Sequence, residues 1–376
     1  MKDKYKIKLV PPDLDRQIVE NSLEQFSDSI KDPNRSLRKF ESTICDFTGS
    51  RFALVVSSGT AALHLAMLLL DIKEEDEVIC PTFTFAATIN TISYVGAHPV
   101  IIDSERQTWN MDPELLVKAI EDRVSMNKLP KAVMITHTYG MPARLDELLE
   151  ICDHYNLPVI EDAAGSLGSS YNEKSVGTFG EIGVISFNYN KIITTAGGGV
   201  LLSHNPKHIE RAQYLATQAK LPHDFYVHEE IGYNYQLNGF AAELGLNQFS
   251  TLKNRIAKKR AIYRRYVEAL DDIEAIKFLP ESTPGVSNRW LTTITLENNP
   301  QAKALKNHLE EKSIEARFLW NPMHRQPVFK KFPSYLSGVS DDLFSSGLAL
   351  PSGTGLEIDE QEEVINGVRE FFETSY

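Results

Sequence analysis

The sequence predicts an α/β protein with a large domain, in which a mostly parallel sheet lies between helices, and a smaller C-terminal α+β domain. Two observations predict this class. Strand-like and helix-like patterns alternate from about residue 50 to 205, and a smaller pattern of the same kind restarts past Pro280. We therefore place the large domain, with an N-terminal helical segment, at residues 1–250. The smaller domain is placed at residues 251–376 and is entered through a long helix.

The elements of the large domain follow from short apolar runs and from helix start signals. Strands are predicted at Phe52–Val56, Glu77–Cys80, Pro99–Asp103, Lys131–His137 and Leu157–Asp162. Four helices are predicted. The first is Ala61–Leu70, the second follows Cys80 and ends at Tyr94, the third begins after Asp112, and the fourth begins at Leu145. Asp112 is expected to cap its helix, with Pro113 in the first helical position. Residues 165–200 are richer in Gly and Ser and interrupt the alternation.

The second half of the chain begins with a long predicted helix after Asn238. Its apolar residues fall at helical spacing at Leu244, Phe249, Leu252, Ile256, Tyr263, Val267 and Leu270. The later predictions are strands Trp290–Leu296 and Ile314–Phe318 and helices at Gln301–Lys312 and from Asp359. The stretch Lys253–Arg265 holds seven Lys or Arg residues. We interpret it as a solvated helix face rather than a nucleic-acid surface.

Composition excludes several classes of function. The 376 residues contain 39 Lys plus Arg and 51 Asp plus Glu, a net charge of −12 that argues against binding to nucleic acid or anionic membranes. Cys45, Cys80 and Cys152 are scattered and match no disulfide or zinc spacing. The N-terminal segment is charged and lacks the apolar core of a signal peptide, so we expect a cytoplasmic protein. The longest apolar run, Ala61–Leu70, is about half of a membrane span.

Three motifs could carry chemistry, and each has an ordinary alternative. Residues 57–60, Ser-Ser-Gly-Thr, lie between a strand and a helix, where free N–H groups either bind a phosphate or are simply capped. Glu161-Asp162 ends a strand, where a carboxylate could bind a ribose, a metal or a protonated ring nitrogen, or form a salt bridge. Lys191 precedes a Gly-rich turn and is either a desolvated nucleophile able to form a Schiff base or an exposed lysine.

No metal site is expected. His204 and His208 are four residues apart, but Pro206 lies between them and no carboxylate joins them.

Taken in order, seven sequence blocks resemble the DegT/StrS family of sugar aminotransferases, which are pyridoxal phosphate (PLP) enzymes of fold type I. The blocks are residues 57–66, 81–103, 160–169, 178–202, 232–238, 319–329 and 348–353. The resemblance covers nearly the whole chain from about residue 40. The last two blocks and residues 188–191 are most similar to the branch that acts on nucleotide-linked 4-keto-6-deoxy sugars, the UDP-sugar 4-aminotransferases.

The resemblance implies a role for individual residues. Lys191 would bind the cofactor covalently and move the proton, Asp162 would pair with the pyridinium nitrogen, and Phe85 would stack on the ring. The remaining cofactor-binding residues would be Gly59, Thr60, Ala61 and Ser186, with Asn234 reaching the phosphate from a second subunit. The implied substrate-binding residues are Asn188, Tyr189, Trp320 and His324.

The implied activity is amino transfer from L-glutamate to a nucleotide-linked keto sugar, a UDP-4-keto-6-deoxy-hexose with a 2-acetamido group, for bacterial surface glycans. The implied assembly is a homodimer with shared active sites. Two alternatives stay open: amination of a 3-keto nucleotide sugar, and a non-catalytic regulatory or binding role. The dehydratase relatives replace the lysine with His, so Lys191 argues against that activity.

The sequence also departs from the family pattern. Gly165 stands where many relatives have His, Gln or Glu near the cofactor, and Tyr189 and Gln236 also differ from common residues. Each of the three could reshape the substrate site. Asn234 also has an ordinary alternative, as a loop residue that caps the helix after Asn238.

Overall fold

The fold is seen in a computed structural model, which describes residues 4–32, 34–281 and 283–374. The helices are α1 Arg16–Ser29, α2 Asn34–Thr48, α3 Gly59–Leu69, α4 Ala86–Tyr94, α5 Pro113–Ser125, α6 Leu145–His154, α7 Pro206–Ala216, α8 Gly239–Phe249, α9 Leu252–Leu270, α10 Asn299–Glu311, α11 Val339–Ser346 and α12 Ile358–Thr374. The strands are β1 Phe52–Val56, β2 Glu77–Pro81, β3 His98–Ile102, β4 Ala132–Thr136, β5 Val159–Asp162, β6 Ser170–Tyr171, β7 Lys174–Ser175, β8 Ile182–Ser186, β9 Gly199–Ser203, β10 Lys277–Phe278, β11 Gly285–Val286, β12 Thr292–Thr295, β13 Arg317–Phe318, β14 Ser334–Tyr335 and β15 Gly347–Leu350.

The large sheet is mostly parallel, as the alternating pattern predicts. Within the described residues its strand order is β1-β9-β8-β5-β4-β2-β3-β14. Strand β9 runs against both of its neighbours, β1 and β8, whereas the pairs from β8 to β14 are parallel. Because β8 and β9 are antiparallel neighbours, residues 187–198 between them stay at the end of the sheet where β8 terminates.

Helices cover both faces of this sheet. Successive residues of a strand point to opposite faces. Accordingly Val55 and Ile79 belong to one buried cluster, and Leu54 and Val78 belong to another. These strands read as continuous apolar runs because neither face meets water.

Most of the predicted elements are confirmed, with small differences at their ends, but the strand predicted at Ile314–Phe318 is reduced to Arg317–Phe318. The strand Phe52–Val56 and the helix starts at Pro113 and Leu145 agree with the prediction. Helix α3 begins at Gly59, two residues earlier than predicted. The cause is Ser58, whose side chain accepts a hydrogen bond from the third residue of the helix.

A second sheet in the C-terminal half has the order β10-β12-β15-β13. Helices α9, α10 and α12 supply residues such as Ile262, Leu305 and Val368 to the core that packs against it, which also contains Ile7. Strand β14 belongs instead to the large sheet, where it pairs with β3. Ile7, near the N-terminus, thus packs in the C-terminal unit, and β14, in the C-terminal half, joins the large sheet. The division at residue 250 stays a prediction.

The prediction of one long helix after Asn238 is wrong in one respect, because the segment forms two separate helices, α8 and α9. The side chains of the two residues between them bond to helix carbonyls. Ser250 Oγ donates to the Asn247 carbonyl at 2.7 Å, and Thr251 Oγ1 donates to the Gln248 carbonyl at 2.8 Å. Such bonds compete with helix continuation.

The interpretation of the basic stretch as a solvated face needs a second correction. Arg255 and Lys259 on α9 are buried. Arg255 Nη1 lies 2.9 Å from Asp13 Oδ2, and Lys259 Nζ donates to the carbonyls of Trp290 and Ser352 at 2.8 and 2.5 Å. Two of the cations thus tie this helix to distant segments. In the described part of the chain, no helix combines the length and apolar character needed to cross a bilayer.

Candidate active site

A cavity of about 340 Å³ opens at the carboxyl ends of strands β4, β5 and β8. The last residues of these strands, Thr136, Asp162 and Ser186, all line it. This is the edge where sheets of this class bind ligands. A wider surface cleft of about 580 Å³ surrounds Arg106 and Asp342, but these two side chains pair with each other.

The Asp162 carboxylate is held in a fixed orientation at the cavity. Thr88 Oγ1 donates to its Oδ2 atom at 2.7 Å, and the Ala164 N–H donates to its Oδ1 atom at 3.1 Å. The side chain is 5% exposed. Its bonds are to a hydroxyl and an amide. Among the described residues, this buried carboxylate therefore faces the cavity without the salt bridge that the ordinary alternative requires.

The neighbouring carboxylate, Glu161, has a different environment. It accepts hydrogen bonds from His137 Nε2 at 3.0 Å and from the N–H groups of Gly177 and Gly180 at 2.8 and 2.6 Å. Burial raises the pKa of Glu161, but these bonds outweigh it and lower the pKa below its usual value. Glu161 therefore anchors the segment after β5, while Asp162 is the carboxylate available to a ligand.

Lys191 lies in the connection between β8 and β9 and lines the same cavity as Asp162. Burial lowers the pKa of Lys191 to about 8, although the charge of Asp162 acts in the opposite direction. At this pKa about a tenth of the amine is neutral at pH 7, far more than for an ordinary lysine, and a nucleophilic lysine requires the neutral form. The alternative of an exposed lysine does not describe this environment.

The start of helix α3 forms another wall of the cavity. Gly59, Thr60 and Ser186 line it, and the positive end of the helix dipole suits an anion. A Cβ atom added to Gly199 would lie 2.5 Å from the Gly59 nitrogen, so only glycine lets β9 pass so close to the helix start. Ala61 is buried outside the lining, and its N–H donates to Ser58 Oγ at 3.0 Å.

Three further predicted residues line the cavity, namely Phe85, Asn188 and Trp320. Tyr189 follows Asn188 in sequence and is half exposed, but it is not part of the lining. His324 is also outside the lining. Its ring nitrogens lie 2.8 Å from Thr82 Oγ1 and 3.3 Å from Asp341 Oδ2.

Asn234 is exposed and does not line the cavity of its own chain. The helix-capping alternative for this residue is not what the structure shows. The cap of α8 is Asn238, whose Oδ1 accepts from the Ala241 N–H at 2.9 Å.

The lining residues that sequence reasoning missed include Trp290, Arg317 and Asn190. Trp290 comes from a distant segment, and a single tryptophan forms no recognisable motif. Arg317 follows Glu315, to which its Nε donates at 2.7 Å, and it places a cation at the cavity. The sequence signal for Asn190 as a site residue is its position directly before Lys191.

The residues of the cavity fit pyridoxal phosphate. Its phosphate suits the α3 start and the Ser186 hydroxyl, and its protonated ring nitrogen suits the Asp162 carboxylate. Asn190 Oδ1 is buried and lacks a hydrogen-bond partner among the described residues, so a ligand with a donor group would satisfy it. Lys191 would supply an amine for the aldehyde of this cofactor.

Comparisons with known proteins agree with this assignment. Residues 15–369 match the model of the DegT/DnrJ/EryC1/StrS aminotransferase family. EpsN of Bacillus subtilis strain 168, assigned as a pyridoxal phosphate-dependent aminotransferase, is 45% identical over 98% of this chain and 96% of its own. A GDP-perosamine synthase of Escherichia coli O157:H7 is 35% identical over 89% of this chain and 90% of its own. A solved DegT DnrJ EryC1 StrS aminotransferase from Brucella abortus has a TM-score of 0.88 at 26% identity, covering 94% of this chain and 95% of that one.

Fold and site together define a PLP-dependent transferase of fold type I. The chain belongs to the DegT/DnrJ/EryC1/StrS aminotransferase family, and it is a PLP-dependent sugar aminotransferase.

Proposed function

We propose that this enzyme transfers the amino group of L-glutamate to a nucleotide-linked 4-keto-6-deoxy-hexose, UDP-linked and carrying a 2-acetamido group, for bacterial surface glycans. One observation carries the amino-transfer part of this proposal. A lysine with a lowered pKa and a fixed, buried carboxylate face the same cavity, which also has the flat apolar surfaces of Phe85 and Trp320. A reducing, cytoplasmic location remains a prediction from the three scattered cysteines.

Lys191 and Asp162 carry the chemistry in this proposal. When bound, pyridoxal phosphate supplies the electron sink that allows a proton to leave the carbon bearing the amino group. The Lys191 amine accepts that proton and returns it, since its pKa of about 8 leaves both protonation states accessible. Asp162 holds a proton at the ring nitrogen, because its carboxylate is fixed by Thr88 and Ala164.

The remaining lining residues bind and orient. Gly59, Thr60 and Ser186 hold the cofactor phosphate at the start of α3. Phe85 covers the ring of the cofactor. Four residues are proposed to contact the sugar nucleotide: Asn188, Tyr189, Trp320 and His324. Of these, Tyr189 and His324 lie outside the cavity lining. The Arg317 cation suits a substrate carboxylate or diphosphate.

A GDP-linked 4-keto sugar is the second candidate substrate. The relative named GDP-perosamine synthase, with 35% identity over 89% of this chain, supports it. The similarity of residues 319–329 and 348–353 to the UDP-sugar branch supports the first candidate.

The test is an amination assay on a panel of substrates. The enzyme is incubated with L-glutamate and with UDP- or GDP-linked 4-keto-6-deoxy-hexoses, a 3-keto nucleotide sugar or a simple keto acid. Products are identified by mass spectrometry and NMR. We expect an amino group at C4 of the UDP sugar. Activity on the GDP sugar supports the second candidate, and activity confined to 3-keto sugars or keto acids overturns both.

We further propose that the working unit is a homodimer with shared active sites. The phosphate of PLP carries close to two negative charges, and burying them requires several donors. One chain offers Gly59, Thr60 and Ser186 at the cavity. Asn234 is exposed and lies outside that cavity, as expected of a residue that completes the phosphate site of a partner subunit.

A further inference from the structure

The indole of Trp290 covers the amine of Lys191. The Lys191 Nζ atom lies 3.7 Å from the centroid of the Trp290 ring, which is a cation–π distance. Trp290 is 4% exposed and lines the cavity beside Lys191. The amine therefore meets an aromatic face, in addition to the carboxylate of Asp162 in the same cavity.

Gly165 provides the space in which this indole lies. A Cβ atom added at residue 165 would be 2.5 Å from Cε3 and 2.9 Å from Cζ3 of Trp290. Contacts this short do not occur, and a rigid indole has no flexible end that can move aside. Any side chain at residue 165 would therefore displace the ring from Lys191.

Three hydrogen bonds keep Trp290 in this place. Its N–H donates to Asn288 Oδ1 at 2.9 Å, and its indole Nε1–H donates to the Asn190 carbonyl at 2.8 Å. Its carbonyl accepts from the buried amine of Lys259 at 2.8 Å. Asn288 also donates to the Gly165 carbonyl at 3.0 Å, so the same side chain fixes both members of the contact.

We propose that Trp290 is a positioning residue of the amino-transfer site, whose indole holds the Lys191 amine in place, and that Gly165 is required to admit the indole. This inference rests on the proposed function, in which Lys191 carries the cofactor. An aromatic face attracts the ammonium form more than the neutral amine. The charged or titratable groups that line the cavity with Lys191 are Asp162, His137 and Arg317.

The test measures the protonation of Lys191 directly, in the full-length chain freed of cofactor. Brief acetylation with acetic anhydride between pH 6 and 10, followed by peptide mass spectrometry, gives the pH midpoint of Lys191 reactivity. Trp290→Leu keeps an apolar side chain but removes the aromatic face. We expect its midpoint to fall by about 0.5–1 pH unit, the size that a cation–π contact supports. Trp290→Phe keeps a face and should restore most of the difference.

Glycine variants provide an independent approach that does not change the tryptophan. Gly165→Ala should displace the indole and lower the midpoint in the same direction. Gly355→Ala is the matched control, because a Cβ atom there meets nothing within 4 Å, and it should match the wild type. If Trp290→Leu does not fold, as judged by thermal melting, Gly165→Ala decides the question alone.

The outcomes separate this inference from the proposed function. A wild-type midpoint in folded Trp290→Leu or Gly165→Ala protein, or a rise in either, overturns the role of Trp290. Borohydride reduction of the holoenzyme identifies the lysine that carries the cofactor. If that lysine is not Lys191, the proposed function fails first. If it is Lys191 and the midpoints are unchanged, only the inference about Trp290 fails.

Discussion

The Thr88 hydroxyl donates a hydrogen bond to the Asp162 carboxylate, with 2.7 Å between Oγ1 and Oδ2. Thr88 Oγ1 also lies 2.7 Å from Thr84 Oγ1, so the hydroxyl can accept one hydrogen bond while it donates another. All three side chains are buried. Helix α4 thus helps to orient a carboxylate that belongs to strand β5, through a single hydroxyl group.

Replacing Thr88 tests this relationship. Thr88→Val keeps the shape of the side chain and removes its hydroxyl, which leaves Asp162 with one donor fewer. Hydrogen bonds to charged groups contribute about 1.5–3 kcal/mol, so we expect the Kd for pyridoxal phosphate to rise about tenfold or more. Equilibrium dialysis with absorbance detection measures it. Thr91→Val is the matched control, since among the described residues the Thr91 hydroxyl bonds only to the Thr88 carbonyl, at 3.0 Å. Equal effects of the two changes would contradict the prediction.

The sequence could predict the parts of the site that local signals specify. Asp162 and Ser186 end strands of the sheet, and the α3 start follows a capping serine, so their meeting at one edge follows from the alternating pattern. The connection that carries Lys191 begins at the same edge because it leaves β8. These positions depend on neighbours in the chain, which a sequence displays directly.

The parts that could not be predicted depend on distant packing. Trp290 bonds to Asn190, which is 100 residues earlier, and no periodicity links them. The basic character of α9 predicts that Lys259 is a surface cation, but the residue is buried, and its amine donates to the carbonyls of Trp290 and Ser352. Ser250 and its neighbour interrupt an apolar pattern that continues at helical spacing, so the pattern alone indicates one helix.

The covalent attachment of the cofactor is expected at Lys191. Borohydride reduction of the holoenzyme followed by peptide mapping should place the pyridoxyl group on this residue. Lys191→Ala should lose turnover by orders of magnitude, because the same amine binds the cofactor and moves the proton. Lys207→Ala, at an exposed position, is the control and should keep wild-type turnover. A pyridoxyl group on any other lysine rejects the assignment.

Stability should depend on pH through Lys259. Burial lowers its pKa to about 7 in the folded protein, below the ordinary value of 10.5 for a free lysine. Between these values the unfolded chain binds more protons than the folded one, so the free energy of unfolding rises with pH from about 7 to 10.5. Lys259→Met removes this contribution, whose slope is at most about 1.4 kcal/mol per pH unit. Urea unfolding at pH 7, 8 and 9 measures both proteins, and parallel curves would refute the prediction.

Shared active sites can be tested by mixing subunits. Lys191→Ala and Asn234→Asp homodimers should each be weakly active, the second because a new carboxylate faces the cofactor phosphate. If Asn234 serves the partner subunit, a heterodimer of the two variants has one site with both defects and one site with neither. Its activity should approach half that of the wild type.

The same mixing design contains its own control. Lys191 and Asp162 line one cavity of one chain, so a heterodimer of Lys191→Ala and Asp162→Asn carries one defect in each site. It should show no recovery, whatever the oligomeric arrangement. Mass spectrometry of the intact complexes confirms subunit exchange in both mixtures. Recovery with Asn234→Asp alone supports shared sites, because only a residue that acts across the interface can move its defect into the other site. If exchange is complete and neither mixture recovers, Asn234 does not complete the partner's phosphate site.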